Sequence, residues 1–406
     1  MKLKRVLLVH NYYQQGGGED KVVAQEVALL KSRGIEVELY SVHNDMINNQ
    51  GLVKKAKIAL EATWSFSEYK RIKKKIMGMN PDVVHVHNFF PLISPSIYYA
   101  CNHLNIPVVQ TLHNYRLMCP AATFLRENKV CEKCVTGSLA NSVINGCYRG
   151  SRMQTVPIVS MISLNRMLDT WGKKVDRYIA LTEFSKMKFV EGGLPENKIV
   201  VKPNFISNKP KLESIDTTTE NYILYVGRIS AEKGVQNLLE AWQRINDKKD
   251  MKLIIVGDGQ EKEHLFKLYA DKTVQFVGNQ PTQKVLDYME HAKYLIVPSI
   301  WYEGFPMTIV EAYSVGTPVI CSEIGSLQEV VQHEVTGFHF QHDNIRDIQR
   351  VISEALNYKN YSSMRKKVID VFHHNYTEEI NYKLLTDVYK SVIKEKNDEC
   401  FAEVKI

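Results

Sequence analysis

The sequence predicts an α/β protein of two consecutive domains, each built on a parallel sheet covered by helices. The chain has 406 residues, which exceeds the size at which a single hydrophobic core keeps growing. Short β-branched runs alternate with longer amphipathic stretches, and the alternation starts again after residue 220. This alternation is typical of a parallel sheet with helices on both faces.

The first domain is predicted over residues 1–203. Its apolar run Val6–Val9 follows a basic start but ends at His10, too soon for the core of a secretion signal, so it is interpreted as a buried strand. A helix is predicted at Glu19–Arg33. The predicted strands of this half are Arg5–His10, Ile35–Tyr40, Pro81–His87 and Pro107–Leu112.

The second domain is predicted over residues 204–380, after a hinge rich in Pro, Asn, Ser and Thr between Lys202 and Thr219. Residues 381–406 form a further segment, in which apolar residues at helical spacing predict a helix that packs on either domain, including back across the first. The predicted strands of the second domain are Tyr222–Val226, Met251–Val256, Val274–Val277, Tyr294–Pro298 and Pro318–Cys321.

Composition and charge narrow the function classes. The chain is 44% hydrophobic and 24% charged, as in ordinary globular proteins, and seven cysteines without an export signal favour a reducing, cytoplasmic location. Residues 1–200 carry 27 Lys and Arg against 16 Asp and Glu, whereas residues 201–406 carry 25 against 29. The basic half and the acidic half either have different partners or reflect neutral drift of surface charge. A nucleic-acid binder is not expected, because the second half is acidic.

A glycine turn in the second domain carries two cations. The strand Tyr222–Val226 is followed by Gly227-Arg228 and then by Lys233-Gly234, directly before the helical stretch Val235–Trp242. A strand-to-helix turn of this kind offers free backbone N–H groups to an anion. Arg and Lys there suit a departing diphosphate, although an exposed loop with ordinary cations has the same pattern.

Two glutamates flank the start of a later helix. Glu303 lies in the loop after the predicted strand Tyr294–Pro298, and Glu311 lies about two turns into the helix that Pro306 opens. Carboxylates in a ligand crevice accept hydrogen bonds from sugar hydroxyls. The spacing alone also fits a capping group and a surface residue.

Taken together, these motifs and their order resemble the retaining glycosyltransferases of family 4. The resemblance is carried by Gly227-Arg228, Lys233-Gly234, Pro298-Ser299, Glu303-Gly304-Phe305-Pro306 with Glu311-Ala312, and Gly316-Thr317-Pro318-Val319. It covers nearly the whole chain and is strongest over residues 222–340. It implies two Rossmann-like domains facing across a cleft, the GT-B fold.

The resemblance also implies roles for individual residues. Arg228 and Lys233 would bind the donor diphosphate, Glu311 the ribose, and Glu303 the hydroxyls of the transferred sugar. His113 would be the active-site histidine near the donor sugar; His10, His85 and His87 also end predicted strands. The remaining donor-binding positions are Gly16 and Gly17 of the glycine loop, Val277 beside the nucleobase, and Phe305, Pro306, Met307 and Thr308, where backbone N–H groups would hold the sugar and phosphate.

The resemblance extends to the chemistry. The donor would be a nucleotide diphosphate sugar, with UDP as the default nucleotide, and the acceptor a growing surface polysaccharide or lipid-linked oligosaccharide. No Asp-x-Asp pair occurs in the chain, which together with Arg228 and Lys233 favours catalysis without a metal. The alternatives are a nucleotide-sugar epimerase of the same fold and a sugar- or nucleotide-binding regulator without activity.

Four cysteines lie within 29 residues, in an insertion over about residues 114–150 that follows His113. Their spacing, C-x11-C-x2-C-x12-C, contains one of the two C-x2-C pairs of a typical thiolate zinc site. They indicate either a structural zinc or four unrelated thiols. The four are Cys119, Cys131, Cys134 and Cys147.

A basic amphipathic stretch spans residues 54–76. Clustered lysines and Arg71 alternate with Leu60, Trp64 and Phe66. Such a stretch either lies on an anionic membrane surface or is a solvated helix face beside a core face. The first alternative predicts a peripheral protein at the inner face of the membrane.

Overall fold

A computed structural model describes residues 3–14, 16–47, 51–207, 219–248 and 250–403. The chain divides into two compact units, which are described separately. The first contains residues 1–124, 132–204 and 378–406, and the second contains residues 125–131 and 205–377. Residues 208–218, most of the predicted hinge, lie outside the described residues.

The first unit is built on a six-stranded parallel sheet in the order β2-β1-β3-β4-β7-β8. Every predicted strand of this half is present within two or three residues of its predicted ends. The strands before residue 205 are β1 (Arg5–Tyr12), β2 (Glu36–His43), β3 (Val83–Asn88), β4 (Val108–Thr111), β5 (Leu125–Arg126), β6 (Lys129–Val130), β7 (Arg177–Ala180) and β8 (Ile199–Val201).

Helices connect these parallel strands, as crossover connections require. α1 returns the chain from β1 to β2 and begins at Gly18, one residue before its predicted start. The helices of this part are α1 (Gly18–Ser32), α2 (Leu52–Glu61), α3 (Phe66–Met79), α4 (Ser96–His103), α5 (Ala140–Ile144), α6 (Arg152–Met167), α7 (Thr170–Lys173) and α8 (Glu183–Glu191).

The second unit repeats the architecture with a parallel sheet in the order β11-β10-β9-β12-β13-β14. All five predicted strands are confirmed. Its strands are β9 (Tyr222–Val226), β10 (Lys252–Val256), β11 (Val274–Gly278), β12 (Tyr294–Val297), β13 (Val319–Ser322) and β14 (Gly337–Phe340).

The remaining helices cover this second sheet, except for the last, which belongs to the first unit. They are α9 (Val235–Gln243), α10 (Lys262–Tyr269), α11 (Thr282–His291), α12 (Met307–Ser314), α13 (Gly325–Val330), α14 (Ile345–Leu356), α15 (Tyr361–Asn375) and α16 (Glu378–Glu403).

α16 packs into the core of the first unit. Leu385, Tyr389 and Val392 are at most 1% exposed and lie in one cluster with Val6 and Leu8 of β1. Burying a side chain of this size contributes about 1.5–3 kcal/mol. The helix predicted from this spacing therefore packs on the first domain, which is one of the two placements that the sequence allowed.

The insertion after His113 differs from its sequence-based description in one respect. Its β5–β6 hairpin, residues 125–131, belongs to the second compact unit, whereas the sequence assigned the whole insertion to the first domain. Val130 of the hairpin packs against the hydrophobic cluster of the second unit. A single apolar residue in a turn-rich stretch carries no pattern that would predict this placement.

Candidate active site

The second unit presents two loops where the order of its strands reverses. β9 lies at the centre of the sheet, with β10 and β11 on one side and β12 to β14 on the other. In parallel α/β sheets the loops of the two central strands diverge at such a reversal and leave a crevice in which ligands bind. The loop after β9 contains Arg228 and Lys233, and the loop after β12 contains Glu303. Three predicted site residues therefore share this edge of the sheet.

Gly234 allows the two loops to approach each other. Its φ is +66°, and an added Cβ would come within 2.0 Å of the carbonyl oxygen of Pro298. A side chain here would be strained by the backbone conformation and would also clash with the neighbouring loop. The close approach brings Lys233, the preceding residue, to the loop that follows β12.

Lys233 and Glu303 form a mostly buried ion pair. The Lys233 Nζ lies 2.6 Å from Glu303 Oε1, and the two side chains are 21% and 10% exposed. Ser299 Oγ and Trp301 Nε1 donate to the same oxygen at 2.7 and 3.0 Å. The Lys233 ammonium also lies 5.5 Å from the centroid of the Trp301 ring. Three donors therefore hold one oxygen of Glu303, and Oε2 has no partner among the described residues.

These contacts keep the Glu303 carboxyl ionised. Burial by itself would raise its pKa, but the Lys233 ammonium and the three hydrogen bonds outweigh burial and leave the pKa below its ordinary value. The result is a carboxylate with a fixed orientation and one oxygen available to accept a hydrogen bond. A polyhydroxylated ligand is the kind of molecule that such an oxygen can bind.

Arg228 and Glu311 are not part of this ion pair. The Arg228 side chain is 62% exposed, and its NH2 lies 3.4 Å from Glu232 Oε1, a surface contact. Tyr225 fixes the backbone beneath it by donating from its hydroxyl to the carbonyl of Arg228 at 2.5 Å. Glu311 is half-buried on α12. The structure thus joins Lys233 to Glu303 and leaves Arg228 accessible to a ligand at the mouth of the loop.

The start of α12 offers fewer backbone donors than the sequence predicted. Pro306 has no N–H, and the N–H of Met307 donates to the carbonyl of Phe305 at 3.0 Å. The N–H groups of Phe305 and Thr308 have no partner among the described residues, as expected for the first turn of a helix. The prediction that residues 305–308 all offer N–H groups to an anion is therefore corrected to two of the four.

Val277 lies in β11, at the edge of the same sheet. It is partly buried against the core, and its carbonyl accepts a hydrogen bond from Gln280 Nε2 at 2.8 Å. Its side chain and the adjacent turn thus have a defined position. The contact with a nucleobase stays a prediction.

The glycine loop of the first unit leads from β1 into α1. Asp20 joins the two, because its Oδ1 lies 2.8 Å from His10 Nε2 and its Oδ2 accepts from the N–H of Gly17 at 3.0 Å. Gly17 has an ordinary φ of −134°, and an added Cβ would meet nothing within 4 Å. The nearest neighbour of a Cβ at Gly16 would be Asp20 Oδ2 at 3.6 Å. Neither glycine is therefore required by the packing of the unit itself.

Four histidines from three adjacent strands form an imidazole cluster at the carboxyl edge of the first sheet. The rings of His85 and His87 are 4.2 Å apart between centroids, and those of His87 and His113 are stacked at 5.2 Å. Parallel strands bring their carboxyl ends to one edge, and the strand order reverses between β1 and β3. The cluster consists of His10, His85, His87 and His113.

Burial keeps most of the imidazole cluster neutral. It lowers the pKa of His10, and it lowers the pKa of His85 and of His113 well below the ordinary value, with the neighbouring imidazole of His87 adding to the effect. His113 Nε2 lies 2.9 Å from His87 Nδ1. The predicted active-site histidine is thus tied to a second imidazole through one of its two ring nitrogens.

A buried carboxylate lies behind the imidazole cluster. Glu26 of α1 and Lys202, just after β8, are each 1% exposed, and Lys202 Nζ lies 2.9 Å from Glu26 Oε1. Glu26 Oε2 lies 3.3 Å from His87 Nε2. Burial would raise the pKa of Glu26, but Lys202 and His87 outweigh it and leave the pKa well below its ordinary value.

Glu26, His85 and His87 are the one group in the described part of the chain whose ligand atoms are close enough to share a metal ion, lying within 4.8 Å of one another. The ammonium of Lys202 already neutralises the carboxylate. We therefore assign no metal to this group.

His87 and His113 line a pocket in the first unit together with Tyr13, Asn88, Asn114 and Arg116. The Asn114 amide donates to the Tyr13 hydroxyl at 3.1 Å, and the Arg116 guanidinium lies 4.7 Å from the centroid of Phe90. Imidazole, amide, phenol and guanidinium groups on one wall can bind a ligand rich in hydroxyl groups. The pocket follows the carboxyl ends of β3 and β4.

The four cysteines of the insertion are not gathered into a metal site in the structure. No three of their sulfurs in the described residues lie within 4.8 Å of one another, the spread of a shared metal ion. Cys119 and Cys134 are buried, whereas Cys131 and Cys147 are half-buried. The structural zinc stays a prediction that metal analysis has to test.

Sequence reasoning assigned no role to four residues that fix predicted site residues, two of them in each unit. Ser299 and Trp301 were within two or four residues of Glu303, and a polar and an aromatic donor beside a predicted carboxylate were the available signal. Glu26 and Lys202 gave a weaker one. Glu26 interrupts the buried face of α1, and a lysine among the apolar residues of 199–206 is unusual, but nothing local pairs them across 176 positions.

Comparison with known proteins identifies a family profile for each half of the chain. The profile of the family described as Glycosyltransferase Family 4 matches residues 16–209, and that described as Glycosyl transferases group 1 matches residues 209–370. An uncharacterized glycosyltransferase of Methanocaldococcus jannaschii, MJ1607, is 26% identical over 68% of this chain and 67% of its own length. The lipopolysaccharide 1,2-N-acetylglucosaminetransferase of Salmonella typhimurium is 29% identical over 44% of this chain and 53% of its own.

Solved structures show the same fold. A glycosyltransferase from Rickettsia africae superposes with a TM-score of 0.69 over 97% of this chain and 100% of its own, at 18% identity. HepE from Anabaena, crystallised with UDP and glucose, superposes with a TM-score of 0.64 over 95% of this chain and 100% of its own, at 16% identity. Both units are thus the Rossmann-like domains of a GT-B protein. With the two family profiles covering residues 16–370 in succession, the chain belongs to the family 4 glycosyltransferases.

Proposed function

We propose that this glycosyltransferase moves a sugar from a nucleotide diphosphate sugar, with UDP as the expected nucleotide, to a growing surface polysaccharide or lipid-linked oligosaccharide. The observation that carries the proposal is the Lys233–Glu303 pair at the strand reversal of the second unit. The pair places a cation for a diphosphate beside a carboxylate oxygen for sugar hydroxyls. The UDP and glucose bound by HepE and the lipopolysaccharide in the name of the Salmonella relative support this choice of substrates.

The predicted site residues of the second unit have the following roles in this proposal. Lys233 and the exposed Arg228 neutralise the diphosphate as it departs, and Glu303 Oε2 accepts from a hydroxyl of the transferred sugar. Glu311 accepts from the ribose, and Val277 contacts the base. The N–H groups of Phe305 and Thr308 donate to sugar or phosphate oxygens.

The transfer retains the anomeric configuration and uses no catalytic metal. The acceptor hydroxyl attacks the anomeric carbon on the face from which the diphosphate leaves. The bond from the anomeric carbon to the phosphate oxygen breaks, and a phosphate oxygen takes the hydroxyl proton. The absence of an Asp-x-Asp pair from the sequence and the presence of two cations near the strand reversal favour catalysis without a metal. Retention and attack on the same face follow from the resemblance to the retaining family.

Nucleotide release tests the proposal. The protein is incubated with UDP-, GDP- and ADP-sugars, with and without polysaccharide or lipid-linked oligosaccharide acceptors, and the released nucleotide is measured. We expect acceptor-dependent release that persists in EDTA and a product whose anomeric configuration matches the donor by NMR. Epimerised donor without an acceptor, or binding without turnover, would refute the transferase assignment. Inversion or inactivation by EDTA would refute the proposed mechanism.

We also propose that the first unit binds an anionic membrane surface through α2, the start of α3 and α6. Exposed apolar side chains occur on all three helices: Leu60 and Phe66 are 76% and 60% exposed, and Met153 of α6 is 86% exposed. α2 contacts α6. The Lys70 ammonium lies 4.4 Å from the centroid of the Phe66 ring. Apolar side chains flanked by cations bind the boundary of a bilayer that carries negative headgroups.

Only part of the predicted 54–76 stretch faces solvent. Ile72 and Ile76 of α3 are buried, so this side of the helix belongs to the core. The side chains of Lys54 and Lys55 lie outside the described residues. In the part of the chain that the structure describes, no helix combines the length and the hydrophobicity needed to cross a bilayer.

Vesicle flotation tests the membrane surface. We expect the protein to float with vesicles of phosphatidylcholine and phosphatidylglycerol, and to remain in solution with phosphatidylcholine alone. Leu60→Ser should reduce the floated fraction, whereas the matched control Leu268→Ser, at a residue that is 56% exposed on α10 of the second unit, should not. Equal loss in both variants, or no flotation of the unaltered protein, would refute this surface.

A further inference from the structure

We propose that Glu26 is a positioning residue that fixes the tautomer of His113 through His87, so that His113 presents an unprotonated Nδ1 to its ligand. The proposal rests on the proposed function in one respect, namely that the ligand offers a sugar hydroxyl. All the residues involved belong to the first unit. They form a chain of contacts that runs from the interior to the pocket through Lys202, Glu26, His87 and His113.

Lys202 and Glu26, at the interior end of this chain of contacts, have defined charges. Lys202 and Glu26 are both 1% exposed, and their 2.9 Å contact makes them a buried ion pair. A buried ammonium is only a donor, so Glu26 Oε1 must be an acceptor. The other carboxylate oxygen, Oε2, is also only an acceptor, because the carboxyl is ionised.

Glu26 Oε2 and His87 Nε2 can only serve each other. They are 3.3 Å apart in an alignment that is not itself a hydrogen bond, and both atoms are buried without a hydrogen-bond partner among the described residues. The other nitrogen near Oε2, His85 Nδ1, is 3.8 Å away and already contacts the Tyr389 hydroxyl. Leaving two buried polar atoms unpaired is costly, so a proton between them is favoured. Since Oε2 accepts, His87 Nε2 carries the hydrogen.

The tautomer of His87 then decides that of His113. A neutral imidazole has one N–H and one lone pair. With the hydrogen on Nε2 alone, His87 Nδ1 is an acceptor, and the ring nitrogen 2.9 Å away, His113 Nε2, must donate. A hydrogen on both nitrogens of His87 would instead make His113 Nε2 the acceptor, which the spectra described below distinguish. A neutral His113 with its hydrogen on Nε2 has its lone pair on Nδ1.

His113 lines the pocket beside Asn114 and Tyr13. Because its Nε2 is engaged by His87, Nδ1 is the nitrogen that remains for a ligand. A lone pair there accepts a hydrogen bond from a hydroxyl, whereas an N–H would compete with the hydroxyl proton. The buried charge of Glu26 thus determines, through two imidazoles, whether the pocket offers an acceptor or a donor.

The variant Glu26→Gln should reverse the direction in which hydrogen bonds are donated along this chain of contacts. Lys202 still requires an acceptor, so the amide oxygen of the new residue turns to Lys202 and its NH2 group faces His87. His87 Nε2 then becomes an acceptor, Nδ1 carries the hydrogen, and His113 Nε2 accepts. His113 Nδ1 becomes an N–H in this variant, although the side chain differs from Glu26 by a single atom.

The experiment measures the tautomers directly. Two-dimensional ¹H–¹⁵N spectra of protein labelled with ¹⁵N-histidine distinguish an N–H nitrogen from a lone-pair nitrogen, and the signals are assigned by their loss in His87→Gln and His113→Gln. We expect His113 in the unaltered protein to carry hydrogen on Nε2 alone, and in Glu26→Gln on Nδ1. Hydrogen on Nδ1 of His113 in the unaltered protein would overturn the proposal, whether or not the variant folds.

Kinetics supply the second measurement. In Glu26→Gln we expect kcat to fall at least about tenfold, the effect of one lost hydrogen bond at the transition state, while KM for the donor stays within about twofold. Tyr389→Phe is the matched control, because the Tyr389 hydroxyl contacts His85 Nδ1 at 2.7 Å and lies outside the proposed chain of contacts. It should leave the His113 tautomer and kcat unchanged.

An unchanged kcat in Glu26→Gln, or an equal loss in Tyr389→Phe, would overturn the positioning role. The spectra do not depend on turnover. The expected tautomers in a protein that releases no nucleotide would therefore refute the proposed function and not the assignment of hydrogen to the ring nitrogens.

Discussion

Replacing Lys233 by Met isolates the energetic role of the ion pair in the second unit. Breaking a fully buried pair by removing one partner costs about 3–5 kcal/mol. The Lys233 side chain is 21% exposed, and Ser299 and Trp301 still donate to Glu303 Oε1 after the change. We therefore expect Lys233→Met to lower the free energy of unfolding of the second unit by about 2 kcal/mol, less than the fully buried limit.

The reciprocal change completes a double-mutant cycle. Glu303→Gln keeps an acceptor for the three donors and should lower the free energy of unfolding by about 1 kcal/mol. The double variant buries no unpaired charge, so it should be about as stable as Glu303→Gln alone. The coupling energy between the two positions is then about 2 kcal/mol, well above the scatter of about 0.5 kcal/mol seen for independent sites.

Hydrogen exchange is the suitable assay, because the protein has two units and need not unfold in one step. The opening free energy of the β9 and β12 amides reports on the second unit alone. Amides of β1 and β3 are the internal control and should not change. A coupling energy below about 0.5 kcal/mol, or a Lys233→Met variant as stable as the unaltered protein, would refute the reasoning.

Three further predictions concern glycine, metal and pH. Gly234→Ala should lower the melting temperature and cost at least about 2 kcal/mol, because it adds a clash with Pro298 to the strain of a positive φ. Gly17→Ala should leave the melting temperature unchanged but lower kcat/KM if a ligand approaches the glycine loop. A lower melting temperature in Gly17→Ala and an unchanged one in Gly234→Ala would contradict both expectations. Elemental analysis should find one zinc per chain if the four cysteines of the insertion bind it, and purified protein without stoichiometric zinc would reject that hypothesis. Three members of the imidazole cluster have lowered pKa values in the folded state, so the unfolded chain binds more protons below about pH 6.5. The urea midpoint followed at β1 and β3 should therefore fall as the pH decreases below about 6.5, and a midpoint that rises or stays constant between pH 7.5 and 5.5 would contradict the neutral, buried state of these rings.

Local patterns predicted the elements that carry the site. The strands before the two key loops, the helix opened by Pro306 and the segment that became α16 were each visible as a run or a helical period. The short strands β7, β8 and β14 were missed. Each has only three or four residues, so neither alternation nor a long apolar run marks it.

The roles of single side chains were less predictable than the elements. Arg228 and Lys233 have the same charge and lie five residues apart, yet one is exposed beside Glu232 and the other is tied to Glu303. The close approach at Gly234 makes the difference. The sequence shows a glycine there, but it does not show which loop the glycine meets.

The sequence by itself determined that this chain has two successive α/β domains, a cationic turn after one strand and a carboxylate after another. These features are encoded in neighbouring residues. The tertiary structure alone decided that Lys233 meets Glu303 across 70 positions and that Lys202 meets Glu26 across 176. Such contacts depend on strand order and on the burial of opposite charges together. Hydrophobic periodicity reports which face of an element is buried, and it carries no information about which distant element that face will contact.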